Sequence, residues 1–162
     1  VQMKDEDIEF DPPRAEFKVR SLDLRYLFDT NVISELRKPP GRVNPRVASW
    51  ADNLAEGNVY ISSISVFEIE RGILLKQRTD PVQAERLRDW FNGQVKVQFK
   101  GRILPFDEDV ASVAAAMHVP DPKATADSFI AATAQVHSLI VATRNTPGFE
   151  SMGVELVNPW EM

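Results

Sequence analysis

Short apolar runs alternate with longer amphipathic stretches along most of this 162-residue chain. Five runs have the length and the β-branched and aromatic composition of buried strands: 24–28, 58–62, 102–106, 138–143 and 154–158. Between them, apolar residues recur at helical spacing in six segments: 31–37, 45–55, 64–77, 80–97, 107–118 and 125–137. Strands that alternate with helices in this way predict βαβ units and a parallel sheet.

The helical segments carry large apolar side chains that we expect to pack into a core. The predicted contributors are Trp50, Leu54, Phe67, Leu74, Leu87, Trp90 and Phe91. Packing is the expected role of these aromatic rings, rather than stacking on nucleic-acid bases. Pro105 weakens the prediction of the third strand, because proline cannot donate to a sheet ladder.

The first 22 residues differ from the rest of the chain. They mix charges, contain DED and DPP, and lack a sustained apolar period. We therefore expect residues 1–22 to be an extension and residues 23–162 to form one domain. No run approaches the roughly 18 apolar residues of a membrane span, and the start lacks the pattern of a secretory signal. A cytoplasmic protein without membrane contact is expected.

The amino-acid composition limits which metal ligands and which modes of nucleic-acid binding are possible. The chain has no cysteine, which excludes disulfides and thiolate metal sites, so any metal must be bound by oxygen or by histidine nitrogen. The net charge of -5 argues against a protein that coats phosphates nonspecifically, because such binding depends on Lys and Arg. An acidic cleft loaded with a metal escapes this objection, since bound cations reverse the local field.

Four polar side chains follow predicted strands or open predicted helices. They are Asp29 after the first strand, Glu68 after the second, Asp127 at the start of the last helix and Asn145 after the fourth strand. In an open parallel sheet, the carboxyl ends of strands and the starts of the following helices share the edge where ligands bind. We therefore expect all four side chains to reach one site.

Each of these residues also has a purely structural interpretation. Asp29 could be a helix N-cap, and Ser65 with Glu68 matches the S-x-x-E capping box. Asp127 could complement a helix dipole behind a Thr125 cap, and an Asn beside Pro-Gly could belong to a turn. Taken one at a time, the four signals do not separate the structural from the functional interpretation.

The combination of three carboxylates predicts a metal. Acids brought together raise one another's pKa unless a cation compensates them. Mg²⁺ is the expected ion, with Mn²⁺ possible, because hard cations prefer oxygen ligands and Mg²⁺ binds through a few carboxylates, water and substrate phosphate. Asn145 could supply a neutral oxygen or hold a water.

Several motifs resemble PIN-domain toxins of the VapC group. In order over about residues 24–162 they are FDTNVISEL, SVFEIERG, GRILPFDEDVA, ADSFIAATAQVHSLIVATRN and NPWEM. The resemblance implies a three-layer α/β/α PIN domain with a mostly parallel sheet of about five strands. By position, Asp29, Glu68 and Asp127 match the metal-binding acids of the family. Asn145 stands where some members have a fourth acid, which weakens the case for a second tightly bound metal.

The resemblance implies a Mg²⁺-dependent endoribonuclease toxin of a type II toxin–antitoxin system, in which a metal-activated water hydrolyses RNA phosphodiester bonds. Residues expected to support the acids or contact substrate are Thr30, Asn31, Thr143 and Arg144, with Arg144 the best candidate to meet phosphate charge. Expected partners are a cognate antitoxin, an RNA substrate, a second copy in a homodimer, and operator DNA only through the antitoxin. The alternative is a non-catalytic PIN-fold partner of an antitoxin in a DNA-binding autoregulatory complex, and the departure at Asn145 favours it.

Three further features receive structural interpretations. Asp107 is predicted to cap a helix, with Glu108 and Asp109 complementing its dipole, and Glu35 is predicted to be exposed on a short helix. The two histidines, at 118 and 137, show no metal-ligand spacing.

Residues 1–22 depart from the family, whose members typically begin almost directly with the first strand. The segment is expected to be disordered, to be a mis-assigned start or a remnant of expression, or to act as an antitoxin-like arm. The candidate anchors of such an arm are Phe10, Arg14, Phe17 and Arg20. Arginine could pair there with the acidic site.

Overall fold

A five-stranded parallel sheet forms the centre of the computed structural model, which describes residues 24–162. The strands are β1 (Tyr26–Phe28), β2 (Val59–Ser62), β3 (Ile103–Leu104), β4 (Ile140–Ala142) and β5 (Leu156–Val157). Their order in the sheet is β3-β2-β1-β4-β5, and every neighbouring pair is parallel. In the register, Tyr26 of β1 lies opposite Val59 on one side and Ile140 on the other. The five predicted strands and their parallel arrangement are confirmed.

Helices connect the strands. They are α1 (Thr30–Leu36), α2 (Pro45–Asp52), α3 (Ser63–Gln77), α4 (Pro81–Trp90), α5 (Lys96–Gln98), α6 (Glu108–Met117), α7 (Thr125–His137) and α8 (Thr146–Phe149). A π-helical turn over Phe91–Val95 joins α4 to α5, so the single helix predicted over 80–97 contains a local change of pitch. The segment interpreted as a turn after the fourth strand forms the short helix α8.

Side-chain caps determine where five of the described helices begin. The capping residues are Asp29, Asn44, Ser62, Asp80 and Asp107, each of which accepts a hydrogen bond from a backbone N–H of the first turn. The prediction that Asp107 is a cap is confirmed, because its carboxylate accepts from Val110 N at 3.0 Å.

Two other predicted caps are wrong. Helix α3 begins at Ser63 because the Ser62 hydroxyl, at the end of β2, accepts from Ile64 N at 3.0 Å. Ser65 and Glu68 therefore lie inside the helix and do not form a capping box. Helix α7 begins at Thr125 itself, with Ala124 in the cap position and no side-chain cap.

Successive side chains of β1 point to opposite faces of the sheet, and each face has its own hydrophobic cluster. Tyr26 and Phe28 belong to a cluster with buried residues of α1, α3 and α4, whereas Leu27 belongs to a cluster with residues of α7 and α8. Helix α6 packs against the outer side of α7 through Val110, Ala114 and Ala132. The three-layer α/β/α architecture is thus confirmed.

Some burial predictions are wrong. Phe67 and Leu74, predicted to lie in the core, are 57% and 61% exposed. The buried positions of α3 are Ser65, Ile69 and Ile73, spaced by four residues, and Phe67 and Leu74 lie off this buried stripe. Glu35, predicted to be exposed, is only 7% exposed. The remaining core predictions are confirmed: Phe91 is buried, and Trp50, Leu54, Leu87 and Trp90 pack partly buried against the first cluster.

No helix within residues 24–162 is long and apolar enough to cross a membrane. The predicted extension over residues 1–22 lies outside the described residues.

Candidate functional site

The strand order reverses between β1 and β4. The chain moves outward from β1 to β2 and β3, then returns to place β4 on the other side of β1. In open α/β sheets such a reversal leaves a crevice at the carboxyl ends of the strands, where ligands bind. Asp29 directly follows β1, and Thr143 directly follows β4. Both side chains are buried at this edge.

Asp29 is fixed by hydrogen bonds from both neighbouring segments. Its Oδ1 accepts from Thr30 N at 2.8 Å, which makes it the N-cap of α1. Its Oδ2 accepts from the Thr143 hydroxyl at 2.8 Å and from Asn31 Nδ2 at 3.1 Å. The carboxylate is therefore held in one orientation although it is only 6% exposed.

Glu68 joins this site through Thr30. The Thr30 hydroxyl donates to Glu68 Oε1 at 2.6 Å and lies 2.8 Å from Ser65 Oγ. Because Ser65 and Glu68 are three residues apart in α3, both side chains project from the same face of that helix. Thr30 thus ties the acid of α3 to the segment that holds Asp29.

Asp127 lies in the first turn of α7, partly buried. Burial raises the pKa of Asp127, and the nearby Glu68 carboxylate raises it further. Burial also raises the pKa of Asp29 from 3.8 to about 6; hydrogen bonds from Thr143 and Thr30 lower it, and the charges of Asp127 and Glu68 add to the rise. The three predicted acids are therefore close enough that neighbouring negative charges disfavour the ionised forms of Asp29 and Asp127.

This donor set fits a hard divalent cation. All three side chains offer carboxylate oxygens, and a cation between them would relieve the repulsion that adds to the raised pKa values of Asp29 and Asp127. Within residues 24–162, however, no three acidic or histidine side chains already converge on one point as in a closed metal site. A hard divalent cation that keeps several of its own waters and takes few protein ligands would suit these acids.

The other predicted residues surround Asp29 on the β4 side. Asn31 donates from Nδ2 to Thr143 Oγ1 at 3.3 Å and accepts from Arg144 N at 3.4 Å. Asn145 is exposed and contributes its backbone N–H, which donates to Thr143 Oγ1 at 3.0 Å. Arg144 is exposed, and its guanidinium lies 5.3 Å from the centre of the Trp160 ring.

Ser65 is a member of the network that sequence reasoning missed as a site residue. It is fully buried, and its hydroxyl contacts Thr30. The signal was present, because Ser65 precedes Glu68 by three residues, but that spacing was interpreted as a capping box.

A cavity of about 430 Å³ lies away from the acids, and none of the three carboxylates lines it. Its walls come from α1, α2, the π-helical turn and the segment before β3, and include Phe28, Leu36, Trp90, Phe99 and Arg102. We assign the candidate site to the acidic crevice because the buried, mutually repelling carboxylates are there.

Comparison with known proteins agrees with the fold and the motifs. Residues 26–154 match the model of the PIN domain family. Toxin FitB of Neisseria gonorrhoeae is 43% identical over 141 residues, which cover 83% of this chain and 97% of that protein. A VapC ribonuclease of Sinorhizobium fredii is 40% identical over 146 residues, which cover 83% of this chain and 97% of that protein.

A solved structure gives the same result. A chain in the structure of FitAB bound to the IR36 DNA fragment is similar with a TM-score of 0.75 at 39% identity, covering 85% of this chain and 96% of that one. The fold, the order of the motifs and the sequence identity therefore lead to one conclusion. The chain belongs to the PIN-domain family, and its resemblance to toxins of the VapC group is confirmed.

Proposed function

We propose that this chain is a metal-dependent endoribonuclease, and the toxin of a type II toxin–antitoxin system. One observation carries the proposal: Asp29, Glu68 and Asp127 come together at the crevice where the strand order reverses. The ribonuclease and toxin names of its relatives support the reaction class.

Asp29, Glu68 and Asp127 are the residues that would hold Mg²⁺ or Mn²⁺. When bound, the cation supplies a water of lowered pKa and positive charge close to the scissile phosphate. Thr143 and Asn31 keep Asp29 oriented, and Thr30 does the same for Glu68. Carboxylates held in this way need little rearrangement when charge develops in the transition state.

Arg144 is the proposed contact for substrate phosphate. Its backbone is anchored to Asn31, its guanidinium is exposed, and the Trp160 ring supports the side chain from one side. The planar guanidinium can donate two parallel hydrogen bonds to one phosphate. Arg144 would thus add local positive charge to a protein whose net charge is -5.

A cognate antitoxin is the proposed protein partner, with operator DNA bound only through it. The solved complex of FitAB with a DNA fragment supports this assembly. Homodimer formation is proposed as well, because most soluble oligomers are symmetric dimers and the family usually pairs.

The test is cleavage of a total-RNA pool by the full chain with Mg²⁺, with EDTA, and with the Asp29→Asn variant. We expect discrete cuts that disappear in EDTA and fall at least about 100-fold in Asp29→Asn, beyond the 10- to 100-fold typical of residues that only support a metal ligand. Asp80→Asn is the matched control, because Asp80 caps α4 away from the site and asparagine caps equally well.

The alternative is a non-catalytic PIN-fold partner of an antitoxin. The exposed Asn145, which stands where some members of the family have a fourth acid, favours it. Folded protein that binds an antitoxin but cuts no RNA with Mg²⁺ would establish this alternative and overturn the nuclease.

A further inference from the structure

Helix α7 carries Asp127 in its first turn but lacks a side-chain cap. Its cap position is Ala124, which has no side-chain hydrogen-bonding group. A capping side chain normally stabilises the first turn of a helix, so the first turn of α7, which contains Asp127, depends on other contacts. Ser128, one residue after Asp127, is fully buried, and its hydroxyl makes the hydrogen bonds that stabilise this turn.

His118, at the end of α6, contacts Ser128. Its Nε2 lies 2.9 Å from Ser128 Oγ, and its Nδ1 lies 3.3 Å from Lys123 N. The Ser128 hydroxyl donates to the Thr125 carbonyl oxygen at 2.7 Å. The His118 imidazole thus contacts the segment that connects α6 to α7 as well as α7 itself. The contacts are Lys123, near the end of that segment, and Ser128, in the first turn of α7.

The protons in this network assign the histidine tautomer. The single hydroxyl proton of Ser128 is used on the Thr125 carbonyl, so Ser128 Oγ can only accept from the ring. The backbone N–H of Lys123 is a donor, so Nδ1 must accept. In this hydrogen-bond pattern the ring of His118 carries a proton on Nε2 and donates to Ser128.

We infer that His118 is a positioning residue for Asp127, acting through Ser128 in place of the missing helix cap. The inference rests on the proposed function, because Asp127 matters as a ligand only if the site holds a cation. His118 itself touches neither cation nor substrate. Residues that orient metal ligands in this way typically change metal affinity 10- to 100-fold when they are removed.

Three substitutions at His118 test the two hydrogen bonds of its ring separately. In His118→Gln, the amide nitrogen reaches about as far as Nε2 and can still donate to Ser128. In His118→Asn, the shorter amide oxygen can replace Nδ1 as acceptor for Lys123 N but cannot reach Ser128. His118→Ala removes both bonds. His137→Gln is the matched control, because His137 lies at the opposite end of α7.

The experiment measures Mn²⁺ affinity of the full chain and its variants, by the paramagnetic resonance signal of the free ion. We expect His118→Ala and His118→Asn to bind Mn²⁺ at least about 10-fold more weakly. His118→Gln and His137→Gln should stay within about 2-fold of the parent. Equal affinity in all variants overturns the inference, and so does an equal loss in Ala, Asn and Gln, because the bond to Ser128 would then not be the cause.

Amide hydrogen exchange over residues 123–128 provides a readout that needs no metal. Exchange at residues 124–128 should be faster in His118→Ala and His118→Asn but unchanged in His118→Gln, whereas the Lys123 amide should exchange faster in His118→Ala and His118→Gln, which lack its acceptor. If the parent binds no Mn²⁺ and cuts no RNA, the proposed function fails, and the exchange pattern alone decides whether His118 positions the start of α7. Unchanged exchange in all three variants would overturn that role.

Ser128→Ala tests the same link from the other side. It should weaken Mn²⁺ binding at least as much as His118→Asn does, and adding His118→Asn to Ser128→Ala should weaken binding no further, because the bond between the two residues is already absent. Additive losses would overturn the inference. Circular dichroism and the thermal midpoint of each variant confirm that the affinity comparison is made on folded protein.

Discussion

Asp29 shows how one side chain can have two roles that appear to compete in the sequence. Its Oδ1 caps α1, and its Oδ2 is held by Thr143 across the sheet. The confirmed capping role therefore does not conflict with the proposed role as a metal ligand, because a carboxylate has two oxygens and can accept several contacts. The buried position has a cost, because it raises the pKa of Asp29 from 3.8 to about 6.

This raised pKa predicts a pH dependence of stability in EDTA. An acid whose pKa is higher in the folded protein stabilises least where it is ionised, so stability should fall as pH rises from about 4 to about 6 and stay low above that. The shift, from 3.8 to about 6, corresponds to a loss of up to about 3 kcal/mol at 1.36 kcal/mol per pKa unit.

Urea unfolding of the parent and of Asp29→Asn between pH 4.5 and 7.5 measures this effect. Asparagine does not ionise, so the free energy of unfolding of the parent should fall relative to that of the variant as pH rises. A constant offset from altered hydrogen bonds would not change this slope. Parallel pH profiles would show that the Asp29 carboxylate is not destabilised by burial.

At the scale of elements, the connection after α1 depends on a buried acid. Glu35 accepts from Lys38 Nζ at 2.9 Å and from the backbone N–H of Asn44 at 2.8 Å. Asn44 is itself the cap of α2, so Glu35 joins the end of one helix to the start of the next. The Lys38 ammonium lowers the pKa of Glu35 by its hydrogen bond; burial opposes this effect, and the Asn44 N–H supports it.

We expect Glu35→Gln to destabilise the protein by about 1–2 kcal/mol at pH 7, because hydrogen bonds to a charged acceptor are lost. A lowered pKa means that the stabilisation is present above the unfolded value of 4.5 and is lost as pH falls through the folded pKa. The difference in the free energy of unfolding between parent and variant, measured with urea, should therefore be smaller near pH 4 than at pH 7.

Glu70→Gln is the control for this prediction. Glu70 pairs with Lys96 at 2.8 Å, but its side chain is 47% exposed. We therefore expect Glu70→Gln to lower the free energy of unfolding by less than about 0.5 kcal/mol. Equal effects of the two substitutions would contradict the special role given to the buried acid.

At the scale of the whole molecule, the order of strands decides where the chemistry can occur. Because β1 lies between β2 and β4, the segments after β1 and β4 are neighbours, although Asp29 and Thr143 are 114 residues apart in the chain. The same order places α3 and α7 on opposite faces of the sheet, with Glu68 and Asp127 close to one edge. The acidic site is thus a product of topology.

Residues 1–22 give the prediction that concerns the whole chain. If they act as an antitoxin-like arm, deleting them should raise the initial rate of RNA cleavage, because arginine side chains would no longer compete for the carboxylates. Comparing the full chain with residues 23–162 at equal concentration measures this. An unchanged rate would overturn the hypothesis of an antitoxin-like arm.

The sequence by itself determined the local elements and the candidate acids. The periodicity of apolar residues depends only on neighbouring positions in the chain, so it predicted all five strands and the longer helices. The candidate acids could then be found because they follow predicted strands or begin predicted helices. The resemblance of the ordered motifs then predicted the family, which the comparison confirmed.

Only the tertiary structure decided which surfaces meet. Helix α3 has apolar residues on more than one face, so its pattern could not show that Ile69 and Ile73 are buried while Phe67 and Leu74 are exposed. The capping of α3 by Ser62, which leaves Glu68 available to the site, depends on where β2 ends. The bond from His118 to Ser128 requires α6 to pack against α7. Burial, register and long-range hydrogen bonds depend on the arrangement of elements, which no local pattern contains.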